Sequence, residues 1–229
     1  MPTARENART ETTADIVSAG RRHLADVGPA ALSLRAVARE IGMVSSAVYR
    51  YVASRDDLLT LLIVQCYDEL GAALENADPQ TSPRQRWMEV CREIRRWAER
   101  HPHEYALLYG SPVPGYVAPT LTIEPATRPT LVLVRIVAEG NRHRVAGSSP
   151  MSTYTPARTA IRELYREKFG EDIGGAIDDD LVRRTLTAWT TVFGVVSFER
   201  FGHLVGSVDD VEAFYDDVVS GLADTLELQ

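Results

Sequence analysis

The chain has 229 residues, 45% of them apolar, and a formal net charge of −7, so it can bury a substantial core and is too apolar to be disordered. It has no uninterrupted apolar run of about 18 residues, and the first 15 residues, MPTARENARTETTAD, lack the apolar core of an export signal, so a soluble, cytoplasmic protein without a membrane partner is expected. The charge is split: residues 1–55 carry eight arginines against five acids, while residues 56–229 carry 17 basic and 27 acidic side chains. A small anion-binding head on an acidic body produces such an asymmetry.

In chain order, Thr13 to Val27 places Ile16, Val17, Gly20, Leu24 and Val27 three or four residues apart, which predicts a first helix stopped by Gly28-Pro29. Ser33 can cap a second helix, Leu34 to Glu40, with a stripe of Leu34, Val37, Ala38 and Ile41. Gly42 ends it. Ser45 can then cap a short third helix running to about Tyr51, with Val48 and Val52 on its inner side. Ser54-Arg55-Asp56-Asp57 reads as a capping box that opens a long fourth helix through Leu74, joining a three-helix head to a larger body.

After a polar loop at 76–83, a fifth helix shows Trp87, Val90, Cys91, Ile94, Trp97 and Ala98 on one face, and Pro102 starts a short sixth through Leu108. Residues 110–129 contain five of the 12 prolines and read as a stiff irregular connection, a candidate cover for a cavity. Leu131 to Ala138 is assigned to a seventh helix, Gly140 to Ser152 to a polar connector and Pro156 to Phe169 to an eighth helix. A break at Gly170 to Gly175 precedes two long apolar helices, Leu181 to Phe201 and Val208 to Leu226. The expected fold is all-α: a head over 1–55 and a helical body over 56–229.

Residues 33–52 meet the requirements of a helix-turn-helix: a positioning helix, a tight turn at glycine and a recognition helix narrow enough for the major groove. With Leu34, Val37, Ala38, Ile41 and Val48 turned inward, Ser45, Ser46, Ala47, Tyr49, Arg50 and Tyr51 are left to face outward or sideways. Arg50 suits the O6/N7 pair of a guanine, while Ser33, Tyr49 and Tyr51 can donate hydroxyls to phosphates. Arg35 on the positioning helix completes the candidate DNA contacts read from the motif.

The segment ALSLRAVAREIGMVSSAVYRYVASRDDLL resembles the DNA-binding domain of the tetracycline-repressor-like (TetR) family over about residues 10–60. Ser33, Leu34, Ala38, Gly42, Ala47, Tyr49, Tyr51 and Arg55 fall on the family pattern, while Val44 and Val52 depart from it. The resemblance implies phosphate contacts for Tyr49 and Arg55, and a basic arm at Arg5 and Arg9 that precedes the first helix and reaches toward DNA. HPHEYALLYGSPVPGY and AWTTVFGVVSFERFGHL resemble one actinobacterial-type branch of the family's ligand-binding domains. This implies a body that holds a small-molecule effector and forms a homodimer through its last two helices, in a repressor released from double-stranded operator DNA.

Trp87, Trp97, Tyr105, Tyr109, Trp189 and Phe193 are the aromatic candidates for lining the effector pocket. Cys66 and Cys91 sit in apolar runs and read as reduced core residues, and Asp178-Asp179-Asp180 reads as helix capping. The histidine spacing favours no metal site, and the sequence has no nucleophile–base pair or phosphate-cradling loop, so neither an enzyme nor a cofactor is expected.

Overall fold

The computed structural model of the protein describes residues 3–79, 81–143, 153–170 and 178–229. Their helices are α1 (Ala4–Val27), α2 (Leu34–Glu40), α3 (Ser45–Val48), α4 (Arg55–Ala77), α5 (Pro83–Arg100), α6 (Pro102–Tyr109), α7 (Ile123–Gly140), α8 (Thr155–Phe169), α9 (Asp179–Arg200) and α10 (Val211–Thr225). Single 3-10 turns at Pro29–Ala31 and Thr120–Thr122 complete the order, and no strand occurs among the described residues. Most of the expected connector and break, residues 144–152 and 171–175, lies outside the described residues.

Two compact units emerge: one holds the described residues up to Asp68 together with His101–Ala126, the other Glu69–Arg100 and the described residues from Thr127 onward. The sequence divides head from body at 55/56, whereas the units divide within α4, whose residues belong to both. In the first unit, Ile16 and Leu24 of α1, Val37 of α2, Val48 of α3, and Leu58 and Leu62 of α4 are fully buried together. Each such side chain contributes about 1.5–3 kcal/mol on burial, which is what holds helices as short as α2 and α3. Val113 and Tyr116 of the proline-rich connection pack on this same core, and the Tyr116 hydroxyl lies 2.9 Å from that of Thr60.

In the second unit, α5 packs on α9 and α10. The expected stripe of Trp87, Val90, Cys91, Ile94, Trp97 and Ala98 is buried throughout. The Trp87 indole N–H donates to Val219 O (3.0 Å) and the Tyr215 hydroxyl to Cys91 O (2.7 Å), which fixes the register of α5 against α10. At the edges, Arg92 grips Asp216 and Arg95 grips Glu199, each through two nitrogens. Asp178 caps α9 by accepting from the Leu181 amide (2.9 Å), and Cys66 and Cys91 are both buried.

Several boundaries differ from the sequence expectation. α1 starts at Ala4 instead of near Thr13, because Thr3 and Glu6 close a capping box ahead of a polar stretch with no periodicity to reveal it. α7 starts at Ile123, since Pro125 falls in its first turn, where no amide donor is needed, and Pro129 is carried inside the helix. α3 spans one turn, and Ser45 is its first residue: the cap position is Val44, and no side chain bonds there. Ser33 does sit at the cap of α2, but its hydroxyl makes no capping bond. Ser54 accepts from the Asp57 amide (3.0 Å), as a cap should, although the Asp57 carboxylate returns to the Ser54 hydroxyl (2.8 Å) and not to its backbone.

Candidate nucleic-acid interface

The turn between α2 and α3 is built by Gly42, whose φ of 68° is left-handed. That conformation lets Met43 N–H reach Ala38 O (2.9 Å) and Gly42 N–H reach Arg39 O (3.3 Å), closing the end of α2 within two residues. The chain is thereby free to turn directly into α3. Burial of Val48 then points the opposite side of α3 outward, and Ser46, Tyr49 and Arg50 are exposed there, as is Arg35 on α2. Ser33, Ser45, Ala47 and Tyr51 are half-buried beside them. The outward side presents hydroxyls, a phenol and guanidinium groups with no acidic residue among them, which suits phosphate and base-edge recognition.

Two arginines make contacts within the protein that the sequence does not reveal. Arg55 is half-buried, and its Nη2 donates to the carbonyls of Pro29 and Ala30, both at 3.0 Å, tying the start of α4 to the turn ahead of α2. Its guanidinium is spent largely on the protein's own backbone. Arg9 does not precede the first helix as part of an arm; it lies inside α1 and donates through Nη2 to Arg50 O at 3.4 Å. None of these three acceptors was visible in sequence, because they lie 25, 26 and 41 residues away.

The six aromatic candidates are divided between the two units. Tyr105 and Tyr109 belong to the first unit, where their rings lie 5.0 Å apart and Tyr109 meets Tyr67 edge-on at 6.1 Å. Burial pushes the Tyr109 phenol far above its ordinary range, so it stays protonated. Trp87, Trp97, Trp189 and Phe193 belong to the second unit, with Trp87 and Trp97 in its core. A cavity of about 280 Å³ opens there along different residues: Glu75 and Asp78, Arg128, Leu131, Val132 and Arg135 of α7, and Lys168 and Phe169 of α8. Arg128 grips Glu75 through two nitrogens (2.7 and 2.6 Å), and this hydrogen bonding holds the Glu75 carboxyl below its ordinary range. Gly71 makes room for that arginine, since a Cβ there would stand 2.6 Å from the Arg128 stem. Among the described residues no group of three or more His, Cys, Asp or Glu is placed to hold a metal ion.

Residues 16–62 match the model of bacterial regulatory proteins of the tetR family, and residues 87–222 match the tetracyclin repressor-like C-terminal domain. The chain belongs to the TetR family. This TetR-family protein is 42% identical over 203 residues to the HTH-type transcriptional regulator Rv1816 of Mycobacterium tuberculosis, covering 86% of this chain and 84% of that one. A shorter match, 39% over 82 residues, joins 36% of the chain to 42% of the HTH-type transcriptional repressor LfrR of Mycolicibacterium smegmatis. Among solved structures, the regulatory protein SCO4313 aligns with a TM-score of 0.74 at 28% identity, over 97% of this chain and 100% of that one. BioQ, solved with its double-stranded DNA operator, shares the fold at a TM-score of 0.51 and 19% identity, over 93% and 98%. The TetR-family chain is therefore a DNA-binding transcription regulator and not an enzyme, and none of its described helices is long and apolar enough to cross a membrane.

Proposed function

We propose that the protein is a cytoplasmic homodimeric repressor that reads operator DNA through α3 and leaves it when a small-molecule effector binds the second unit. The observation that carries the reading is the outward row of Ser46 on α3 and Tyr49 and Arg50 in the turn that follows it, anchored by the fully buried Val48. In this reading Arg50 contacts a base edge, Tyr49, Tyr51 and Ser46 contact phosphate, and Arg35 with the α2 N-terminus at Ser33 contacts the flanking backbone. Ser45 and Ala47 keep the helix entrance small enough to approach the duplex, and Arg55 acts as a frame for the motif.

Dimerisation is supported by Phe198, Phe201 and Val205 near the end of α9, which are 56%, 45% and 84% exposed. Gly194 and Gly221 add open surface on α9 and α10, where a Cβ at either position would meet nothing within 4 Å. Faces this apolar favour a partner, and a two-fold partner sets two recognition helices about 34 Å apart on a pseudo-palindromic site. The repressor assignment follows the similarity to LfrR. The 280 Å³ cavity lies near the lower limit of about 300 Å³ for ligand pockets, combines an apolar floor with charged walls, and takes part of its lining from α4. An effector there acts only through unequal affinity for the DNA-bound and free conformations.

The test is a gel-shift titration with duplex from the region flanking the protein's own gene. Arg50→Ala and Tyr49→Ala together are expected to abolish the specific shift while sedimentation still reports a dimer. Wild-type operator affinity in that double variant overturns α3 as the reading element.

A further inference from the structure

α3 is a single turn, and no side chain caps its start. The last carbonyls of a helix need donors, and so short a helix has no length of its own to hold a direction. Its exit is met by Arg9, on the second turn of α1. The Arg9 Nη2 donates to Arg50 O at 3.4 Å, and the guanidinium carbon lies 5.5 Å from the centre of the Tyr51 ring. A cation at this end also complements the negative pole of the helix.

Arg9 is itself held in place. α1 begins at Ala4 because Thr3 accepts from the Glu6 amide (3.3 Å) while the Glu6 carboxylate accepts from the Thr3 amide (2.6 Å). Without that box, residues ahead of Thr13 have no apolar face to keep them helical. A groove runs between this first part of α1 and the recognition element, with Glu6 and Arg9 on one wall and Ala47, Arg50 and Tyr51 on the other.

We propose that Arg9 is a positioning residue for operator recognition: from the exposed face of α1 it braces the turn that follows α3, so that Tyr49 and Arg50 meet the duplex at a fixed angle. The inference rests on the reading of Arg50 as a base contact. It differs from a DNA-touching arm in one respect that can be measured, since a phosphate contact releases a counterion and an internal brace does not.

The experiment titrates the full-length dimer with duplex from the region flanking its own gene, and with a scrambled duplex of equal length, across a salt series. Arg9→Gln is expected to weaken specific binding about 5- to 10-fold, the size of one exposed cation–π contact plus a weak hydrogen bond at 3.4 Å. Scrambled-duplex binding and the slope of log K against log salt are expected to stay at wild-type values. Arg9→Lys, which keeps the charge but loses the planar fork, is expected to follow Arg9→Gln. In the free protein, amides of Arg50 to Val52 should exchange faster in Arg9→Gln while those of α2 stay protected, at an unchanged melting temperature.

A slope reduced by about 0.9, with specific and scrambled binding weakened equally, overturns the brace in favour of a phosphate contact. Wild-type affinity in Arg9→Gln, measured beside an Arg50→Ala control that has lost specific binding, overturns it as well. If Arg50→Ala binds like wild type, the α3 reading itself fails, and the exchange rates at Arg50 to Val52 still decide whether Arg9 holds the turn.

Discussion

Arg86 offers the sharpest test of what holds the second unit together. The residue is 9% exposed, and its guanidinium grips Asp78 through two nitrogens (2.6 and 2.7 Å) while also bonding Glu139. The side chains of Asp78 and Glu139 are themselves only 10% and 18% exposed. Arg86→Met fills the same space but leaves Asp78 without this guanidinium and Glu139 with only Arg135, at 2.9 Å. Removing one partner of a buried ion network costs about 3–5 kcal/mol, and for a chain of this length each kcal/mol lowers the melting temperature by about 2–4 °C. A fall of about 6–20 °C is therefore expected at pH 7, followed by circular dichroism and confirmed by urea titration.

The pH dependence has a definite sign. Burial raises the Glu139 carboxyl, but hydrogen bonds from Arg86 and Arg135 more than offset it, and the group lies below its ordinary value of 4.5. A depressed carboxylate contributes stability that is complete above its unfolded value and is lost as pH falls through the folded one. The penalty of Arg86→Met should accordingly hold from pH 7 down to about pH 5 and shrink as the pH falls below 4.5 through the folded-state value. Replacing Asp78, Arg86 and Glu139 together by apolar residues should recover most of the loss, because the desolvation cost disappears with the charges. A penalty under about 1 kcal/mol at pH 7, or one that does not change with pH, would refute this account of the network.

Three further outcomes are expected. Gly42→Ala places a side chain at a φ of 68° and should cost about 1–2 kcal/mol in urea unfolding, with weakened operator binding, since the turn into α3 depends on that conformation. Cys91 is fully buried and burial pushes its thiol well above the ordinary value of 9.0, so a thiol reagent at pH 8 should leave it unlabelled until denaturant is added; rapid labelling in the native protein would contradict its place in the core. Phe198→Glu combined with Val205→Glu should sediment as a monomer where the wild-type chain sediments as the proposed dimer, with the helical circular dichroism unchanged.

Legibility followed the range of the forces involved. α5 could be read because six apolar residues at helical spacing leave one arrangement that buries them, and all six are buried. The outward residues Ser46, Tyr49 and Arg50 could be read as what remains once Val48 is turned inward. The true start of α1 could not, because residues 4–12 are largely polar and are held by one local box and one contact 41 residues away. Pro125 and Pro129 hid the start of α7, since proline in a first turn looks in sequence like proline that breaks a helix. Ser33 and Ser45 have the right chemistry for caps, but which residue takes the cap is decided by how the preceding turn delivers the backbone, and at α3 that residue is Val44. The aromatic candidates belong to both units because similar side chains serve both cores, and the cavity of the second unit was not foreseen because its walls are charged residues, Arg128 and Glu75 among them, paired across helices.

The shortness of α3 has a consequence for how such a regulator diversifies. Ser46, Tyr49 and Arg50 support nothing beneath them, and substitutions at exposed positions of this kind typically change stability by less than about 0.5 kcal/mol. The hydrogen bond from Arg9 ends on a backbone oxygen of residue 50, which every amino acid supplies equally. On the proposed reading, altered operator preference can thus accumulate at these three positions by single substitutions without a folding penalty to be compensated elsewhere, and one chassis can be refitted for many addresses in a genome.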